Sequence, residues 1–372
     1  MPQVFARLKP HVRSNLLTYA IVCAVFVVAQ SMVSTGTISA SMSGQLVPIC
    51  CYVCMAISLN LVVGVSGELS LGHAGFMSVG AFTGLVAEAC LRSAVASDPV
   101  RLLLSIVIGG AFAALVGFLV GLPVMRLQGD YLAIVTLAFG EIIKNLLNNL
   151  YVGLDATGLH FSMRSASNLG MHDGAVLING PQGAVGIDRL SSFVAGFLLV
   201  LFTLTVATNL IHSRSGRAIM AVRDNRIAAE SVGINTTKYR LMAFVVSAAL
   251  AGMAGALYAM SFNSIVPKKF DFNTSILILV FVVLGGMGNI RGGIIAAAVL
   301  TILPEKLRFI GDYRMLIYAV VLIAVMLASN SATVRMWIDR GRAWLRRRGS
   351  GGGQSASGGT VATVREGGDA HE

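Results

Sequence analysis

The sequence predicts an all-α polytopic transmembrane helical bundle of about ten spans with a cytoplasmic helix. Three observations indicate this class: 55% of the 372 residues are hydrophobic, only 12% are charged, and the mean hydropathy is +0.77. Soluble domains carry about 25% charged residues, so this chain lacks the polar side chains that a globular surface needs. Several uncharged runs also exceed the roughly 18 residues typical of a membrane-spanning helix. The composition therefore excludes a soluble enzyme, a nucleic-acid binder and a disordered scaffold.

Apolar runs place the predicted spans. They cover residues 16–34, 46–65, 73–91, 102–124, 131–150, 191–211, 241–262, 272–290, 293–304 and 315–334. The fifth span contains Glu141 and Lys144, which lie three residues apart and can neutralise each other on one helical face. The ninth is short for a full crossing, which indicates a broken or tilted helix. We therefore expect one membrane domain over residues 16–334.

The distribution of lysine and arginine predicts the orientation of the chain in the cell's plasma or inner membrane. With the N-terminus (1–15) in the cytoplasm, the loops on that side carry 18 basic residues and the opposite loops carry nine. Because basic residues are enriched in cytoplasmic loops, both termini are expected inside. Residues 151–190 would then form an extracytoplasmic loop. The tail 335–372 is expected to contact anionic lipid headgroups through its basic start and to continue as a disordered extension.

Residues 212–240 form the cytoplasmic segment that we expect to carry the function. An apolar stripe that includes Ile219 and Val222, interrupted by charged residues, predicts one helix over 217–232. Gly233 is expected to follow that helix as its terminating glycine. Small alanines beside charges allow close backbone approach, so this helix can dock in a groove of another protein. An amphipathic helix lying on the membrane surface is the alternative.

Five long motifs follow one another along the chain. They are GELSLGHAGFMSVGAF (67–82), GDYLAIVTLAFGEIIKNLLNN (129–149), NGPQGAVGI (179–187), GRAIMAVRDNRIAAESVGINTTKYRLMAFVVSAALAGMAGALYA (216–259) and VLGGMGNIRGGIIAAAVL (283–300). Together they resemble the LivM-type permease subunits of branched-chain amino-acid ABC importers. The resemblance implies an ATPase-coupling site whose residues are Arg223, Asp224, Asn225, Ala228, Ala229, Glu230 and Gly233.

This resemblance implies an ATP-driven importer of branched-chain or related hydrophobic amino acids. Its partners would be a second, LivH-like permease, two cytoplasmic ATPase subunits and an extracytoplasmic solute-binding protein. The cytoplasmic helix would sit in a groove of an ATPase and transmit its closure to the spans. The alternatives are the permease of a related urea or short-amide ABC importer and an ion-coupled secondary transporter, which would need no ATPase.

Few motifs in the sequence indicate chemistry on this chain. It contains no GxxxxGK[ST] motif for nucleotide phosphates and no HExxH motif. Cys51 and Cys54 have CxxC spacing but no second pair of zinc ligands. Glu68 and His73 are ionisable residues in a glycine-rich membrane stretch, where such groups line a path or hold a broken helix. Hydrogen bonding at a helix end is the alternative for both. We expect no enzyme activity, cofactor, metal or nucleic-acid partner.

Overall fold

The computed structural model describes residues 10–36, 39–127, 129–155, 158–171 and 174–330. Twelve α-helices lie within this part of the chain. They are α1 (Pro10–Ser34), α2 (Ala40–Asn60), α3 (His73–Leu91), α4 (Asp98–Val124), α5 (Asp130–Asn148), α6 (Phe193–His212), α7 (Arg214–Asp224), α8 (Arg226–Ser231), α9 (Thr236–Ala259), α10 (Phe272–Gly285), α11 (Ile290–Lys306) and α12 (Arg314–Asn330). The predictions for the first nine residues and for the tail 335–372 lie outside the described residues.

The chain divides into two compact units, Met1–Tyr318 and Ala319–Glu372. In the second unit, residues 319–330 are described and form the C-terminal part of α12. All the functional residues predicted from the sequence belong to the first unit.

Within the described ranges, five helical segments are long and apolar enough to cross a membrane. They are Ser41–Ser66, His73–Leu91, Asp98–Val124, Phe193–His212 and Thr236–Ala259. The longest holds 27 residues, or about 40 Å at 1.5 Å per residue. The predicted all-α membrane architecture is therefore confirmed. The other five predicted spans also fall mainly on helices, but these are shorter or more polar, so the count of ten stays a prediction.

Helices α3, α4 and α9 pack closely against one another, and glycines let their backbones touch. A Cβ atom on Gly255 of α9 would lie 2.0 Å from the carbonyl oxygen of Met77 in α3. On Gly80 of α3 it would lie 2.1 Å from the carbonyl oxygen of Gly252, and on Gly109 of α4 it would lie 2.7 Å from that of Gly80. Small residues at helix crossings allow this close approach in membranes. The glycines therefore set the spacing of the three helices.

The chain leaves α2 through a π-helical turn, Leu61–Ser66, before a short loop leads into α3. All six residues of the turn are buried. Gly67 ends the turn with a φ of 76°, in the left-handed region that glycine tolerates best. A Cβ on Gly64 would lie 2.2 Å from the backbone nitrogen of Gly288, which lies between α10 and α11. π-helical turns are rare in proteins, and many of those that occur lie at functional sites. This turn is therefore a candidate functional site.

Residues 151–190, predicted as a loop, contain β-structure. Strands β1 (Tyr151–Asp155), β2 (Gly158–Ser162) and β3 (Ala175–Asn179) form an antiparallel sheet in the order β2-β1-β3. The short strand β4 (Ala184–Val185) pairs with β5 (Ser264–Ile265), which follows α9. Strands this short, two of them containing glycine, give too weak an alternation of apolar and polar residues to be predicted.

Contacts at the two ends of α9 show which loops lie together. Near its first turn, Arg240 donates a hydrogen bond to the carbonyl oxygen of Met125, just beyond α4, at 3.1 Å. Beyond its last turn, Asn263 accepts a hydrogen bond from Arg189 at 2.7 Å. The predicted extracytoplasmic and cytoplasmic segments thus contact opposite ends of a helix of 24 residues. Which end faces the cytoplasm stays a prediction.

Candidate coupling site

The predicted cytoplasmic segment folds as two short helices, so the prediction of one helix over 217–232 is wrong. Ser213 begins α7, because its hydroxyl oxygen accepts a hydrogen bond from the N–H of Gly216 at 3.0 Å. Asn225 leaves the helical region with a φ of −155° and a ψ of 105°. Its Oδ1 accepts a hydrogen bond from the N–H of Ala228 at 3.0 Å and starts α8. Asparagine is among the best N-cap residues, so it divides the predicted helix.

Gly233 terminates α8, as the sequence predicts. Its φ of 84° lies in the left-handed region. The N–H of Gly233 donates to the carbonyl oxygen of Glu230, and the N–H of Ile234 donates to that of Ala229, both at 3.0 Å. These two bonds form a Schellman motif, which satisfies carbonyl groups that the end of a helix leaves unpaired.

Helix α8 presents apolar side chains beside charged ones. Ile227 is 81% exposed, and Val232, directly after the helix, is 74% exposed. Ala228 is also exposed, whereas Ala229 is buried. Two exposed apolar side chains beside charged ones give α8 the mixed surface that was predicted for a docking helix. Docking of α8 in a groove of another protein stays a prediction.

Glu230 connects α8 to the first turn of α9. Its Oε1 accepts a hydrogen bond from Arg226 at 2.9 Å and another from the hydroxyl of Thr236 at 2.9 Å. These bonds, with Arg226 the larger cause and Thr236 the next, hold the pKa of Glu230 below its usual value. The side chain is therefore a carboxylate at neutral pH and holds α8 against α9.

Arg223 and Asp224, both predicted to take part in coupling, have different surroundings. Nη1 of Arg223 donates to the carbonyl oxygen of Gly64 at 3.0 Å, and Nη2 donates to Asp224 Oδ1 at 2.9 Å. The stem of Arg223 packs on Gly67, where a Cβ would lie 2.5 Å from its Cγ. Arg223 thus joins the end of α7 to the π-helical turn, while Asp224 remains 68% exposed.

Glu68, predicted as a candidate for the translocation path, pairs with Arg240 of α9. The two side chains are 10% and 7% exposed. Arg240 also donates to the carbonyl oxygens of Met125 at 3.1 Å and Leu127 at 3.3 Å. A guanidinium with a carboxylate and two carbonyl partners has most of its donors satisfied. This cation holds together the loop before α3, the end of α4 and the start of α9.

His73, the second candidate for the path, is the first residue of α3 and is 1% exposed. Its Nε2 lies 2.7 Å from the hydroxyl oxygen of Ser58 in α2. The next backbone N–H, from Ala74, donates to Ser275 Oγ of α10 at 3.2 Å. Both ionisable residues of the stretch are therefore bonded to neighbouring helices, and a role in a path stays a prediction for each.

Several charged and polar residues of the bundle were not found from the sequence. From the sequence, Arg240 counts only as one of the basic residues on the predicted cytoplasmic side, although it is the last charged residue before a long apolar run. Asn60 Oδ1 accepts a hydrogen bond from the N–H of Gly288 at 2.8 Å, and a lone amide inside an apolar run is the signal for it. Arg101, assigned to a loop, lies inside α4 and pairs with Glu88 at 2.9 Å, both 8% exposed.

One smaller prediction agrees with the structure. Glu141 and Lys144 form an ion pair within α5, as their spacing predicts. Cys51 and Cys54 are free cysteines and are buried in α2. The CxxC spacing therefore places two thiols in the core.

A bundle of long apolar helices defines a multi-pass membrane protein. Residues 41–326 match the family described as the branched-chain amino acid transport system / permease component. Because this match covers more than half of the chain, the protein belongs to that family and is a multi-pass protein of the inner membrane. The resemblance to LivM-type permeases is confirmed.

Curated relatives extend the comparison. The chain is 34% identical over 272 residues to the high-affinity branched-chain amino acid transport system permease protein LivM of Escherichia coli K12, covering 67% of this chain and 58% of the relative. It is 36% identical over 248 residues to the Salmonella typhimurium LivM, covering 61% and 54%. A nucleoside ABC transporter permease protein, NupC of Lactococcus lactis, is 27% identical over 199 residues, covering 53% and 60%. The chain thus spans little more than half the length of the two LivM relatives. No solved structure matches it significantly.

Proposed function

We propose that this chain is a transmembrane permease subunit of an ATP-driven importer for branched-chain or related hydrophobic amino acids. Membership of the permease family and the two LivM relatives support the substrate class. They favour this function over the urea or short-amide importer and over the ion-coupled secondary transporter. The chain itself would carry out no hydrolysis, since its sequence has no GxxxxGK[ST] motif.

The observation that carries the proposal is the surface of α8. Ile227 and Val232 present apolar side chains outward, and Arg226 and Glu230 form an ion pair across one turn of the same helix. A short helix with mixed charges and no aromatic residue binds a membrane surface weakly. The same features suit a helix that inserts into a groove of a partner protein. We assign that groove to a cytoplasmic ATPase subunit.

The remaining partners follow from an importer of this kind. A second permease would complete the transmembrane pathway, a second ATPase would act on it, and an extracytoplasmic solute-binding protein would deliver the amino acid. Most of the specificity would lie in that binding protein, so the path through the bundle needs only weak polarity. Glu68 and His73 are proposed to border this path, where their bonds to Arg240 and Ser58 keep them from facing lipid.

The docking proposal is tested by Ile227→Asp. A carboxylate at this 81% exposed position would be desolvated in an apolar groove, so the ATPase should no longer co-purify with the chain and uptake should stop. Val185→Asp is the matched control, because Val185 is 64% exposed in β4, at the opposite end of the bundle. Co-purification of the ATPase at the wild-type level with Ile227→Asp would contradict the proposal.

The substrate class is tested by competition. Uptake of labelled leucine by the assembled importer should be blocked by excess isoleucine or valine, and should be unaffected by urea, acetamide or a nucleoside. A nucleoside competitor is included because one relative is a nucleoside permease. Inhibition by urea or a nucleoside, with none by isoleucine, would assign the chain to a different substrate class.

A further inference from the structure

Arg223, near the end of α7, has hydrogen-bond partners on two different elements. Two neighbours on the same helix, Ile219 and Val222, are buried and anchor α7 to the bundle. Nε and Nη2 of the guanidinium bind Asp224 Oδ1 at 3.0 and 2.9 Å, which leaves Nη1 for the carbonyl oxygen of Gly64 at 3.0 Å. The two sides of the planar group are therefore held by different elements, one on α7 and one on the π-helical turn.

Within the π-helical turn, the carbonyl group of Gly64 is the hydrogen-bond acceptor of Arg223. The carbonyl oxygen of Val62 accepts hydrogen bonds from the N–H groups of Gly67 and Glu68, and these bonds close the turn. Gly64 lies within the last four residues, whose carbonyl groups have no partner further along the helix. The guanidinium supplies that partner with a charge-assisted hydrogen bond. The geometry of the turn and the position of Arg223 thus depend on each other.

The same turn contacts the connection between α10 and α11. A Cβ on Gly64 would lie 2.2 Å from the nitrogen of Gly288, and Asn60 Oδ1 accepts the N–H of Gly288 at 2.8 Å. Asn60 Nδ2 is buried and has no hydrogen-bond partner among the described residues. A continuous set of contacts therefore leads from Arg223, through the turn, to a second pair of helices.

We propose that Arg223 is a positioning residue of the transport cycle, which transmits displacement of α7 and α8 to the π-helical turn and on to the α10–α11 connection. This inference rests on the proposed function, since the displacement comes from an ATPase docked on α8. A π-helical turn closes its hydrogen bonds one residue further along the chain than an α-helical turn does, and we take the α-helical register as its second arrangement. An element with two arrangements, contacted from both sides, is what coupling between distant sites requires.

The test uses the assembled importer in lipid nanodiscs and compares Arg223→Ala with wild type. We expect normal co-purification of the ATPase, because α8 is unchanged, but a fall of about five-fold or more in amino acid imported per ATP hydrolysed. Arg217→Ala is the matched control: Arg217 is an exposed arginine of α7 that bonds the carbonyl oxygen of His212. A wild-type import ratio in Arg223→Ala would overturn the inference.

Arg223→Lys decides the question if the alanine variant does not fold. An ammonium group can reach either the Gly64 carbonyl or Asp224 but lacks the planar fork for both, so the import ratio should again fall. A stable lysine variant with the wild-type ratio would overturn the inference.

A structural readout separates transmission from catalysis. Spin labels on cysteines introduced at Arg217 and at Met287, which is 65% exposed between α10 and α11, report the distance between the two regions. This distance should change when the wild-type importer binds ATP, and the change should be lost in Arg223→Ala while the ATPase stays bound. If Arg223→Ala shows the same ATP-dependent change in distance as the wild type, the inference is overturned but the proposed function is not. A wild-type chain that binds no ATPase would overturn the proposed function, and this inference with it.

Discussion

Replacement of Arg240 by methionine should destabilise the protein through the charge it leaves behind. Glu68 would then lie in a site where it is 10% exposed, without its cation, and removal of one partner of a buried pair costs about 3–5 kcal/mol. The carbonyl oxygens of Met125 and Leu127 would also lose their donors, although water can reach the half-exposed Leu127. We therefore expect the free energy of unfolding to fall by an amount near the lower end of this range, about 3 kcal/mol. At about 2–4 °C per kcal/mol, this corresponds to a Tm lower by about 6–12 °C.

The assay is thermal unfolding of the detergent-purified chain, followed by the loss of the monodisperse peak in size-exclusion chromatography. Glu68→Gln, Arg240→Met and the double variant form a double-mutant cycle, and Arg217→Met serves as an exposed control. The double variant should lose less stability than the sum of the single variants. Each single variant leaves one buried charge unpaired, whereas the double variant contains neither charge. A Tm shift below about 2 °C for Arg240→Met, or additive effects, would refute this reasoning.

Three further outcomes follow from the geometry. Gly255→Ala places a Cβ 2.0 Å from the facing carbonyl oxygen of α3 and should lower the yield of monodisperse protein, whereas Gly44→Ala, with no atom within 4 Å, should not. Gly233→Ala forces alanine to a φ of 84°, costs about 1 kcal/mol and should speed amide exchange in α8 roughly five-fold. Hydrogen bonds hold the pKa of Glu230 below 4.5, so its hold on α8 is present above that value and is lost as the pH falls through the lower folded pKa. A spin label at Val232 should therefore keep its mobility from about pH 7 to 5 and gain mobility only in stronger acid, and Glu230→Gln should abolish that transition.

Local properties of the sequence account for the parts of the fold that were predicted. Hydropathy along a run decides whether it can span a membrane, so the long apolar helices could be predicted. The end of α8 could also be predicted from the local sequence, since only glycine readily adopts the backbone conformation of Gly233. The break at Asn225 was available as an N-cap signal, but the apolar stripe continues through it and favours a single helix.

Contacts between distant parts of the chain could not be predicted. Arg223 and Gly64 are separated by 159 residues, and Arg240 and Glu68 by 172. A guanidinium near a span end has the same local sequence whether it faces solvent, a headgroup or a buried carboxylate. The predicted coupling residues therefore include Arg223, whose guanidinium contacts the bundle, and the sequence gives no sign of that contact.

The backbone contacts at Gly80, Gly252 and Gly255 constrain how the protein can move. Where main chains touch, no side chain can change its rotamer to absorb sliding, so we expect α3 and α9 to move as one rigid body. In the proposed importer, alternating access would then arise from hinges at the ends of this body, such as the left-handed residue Gly67.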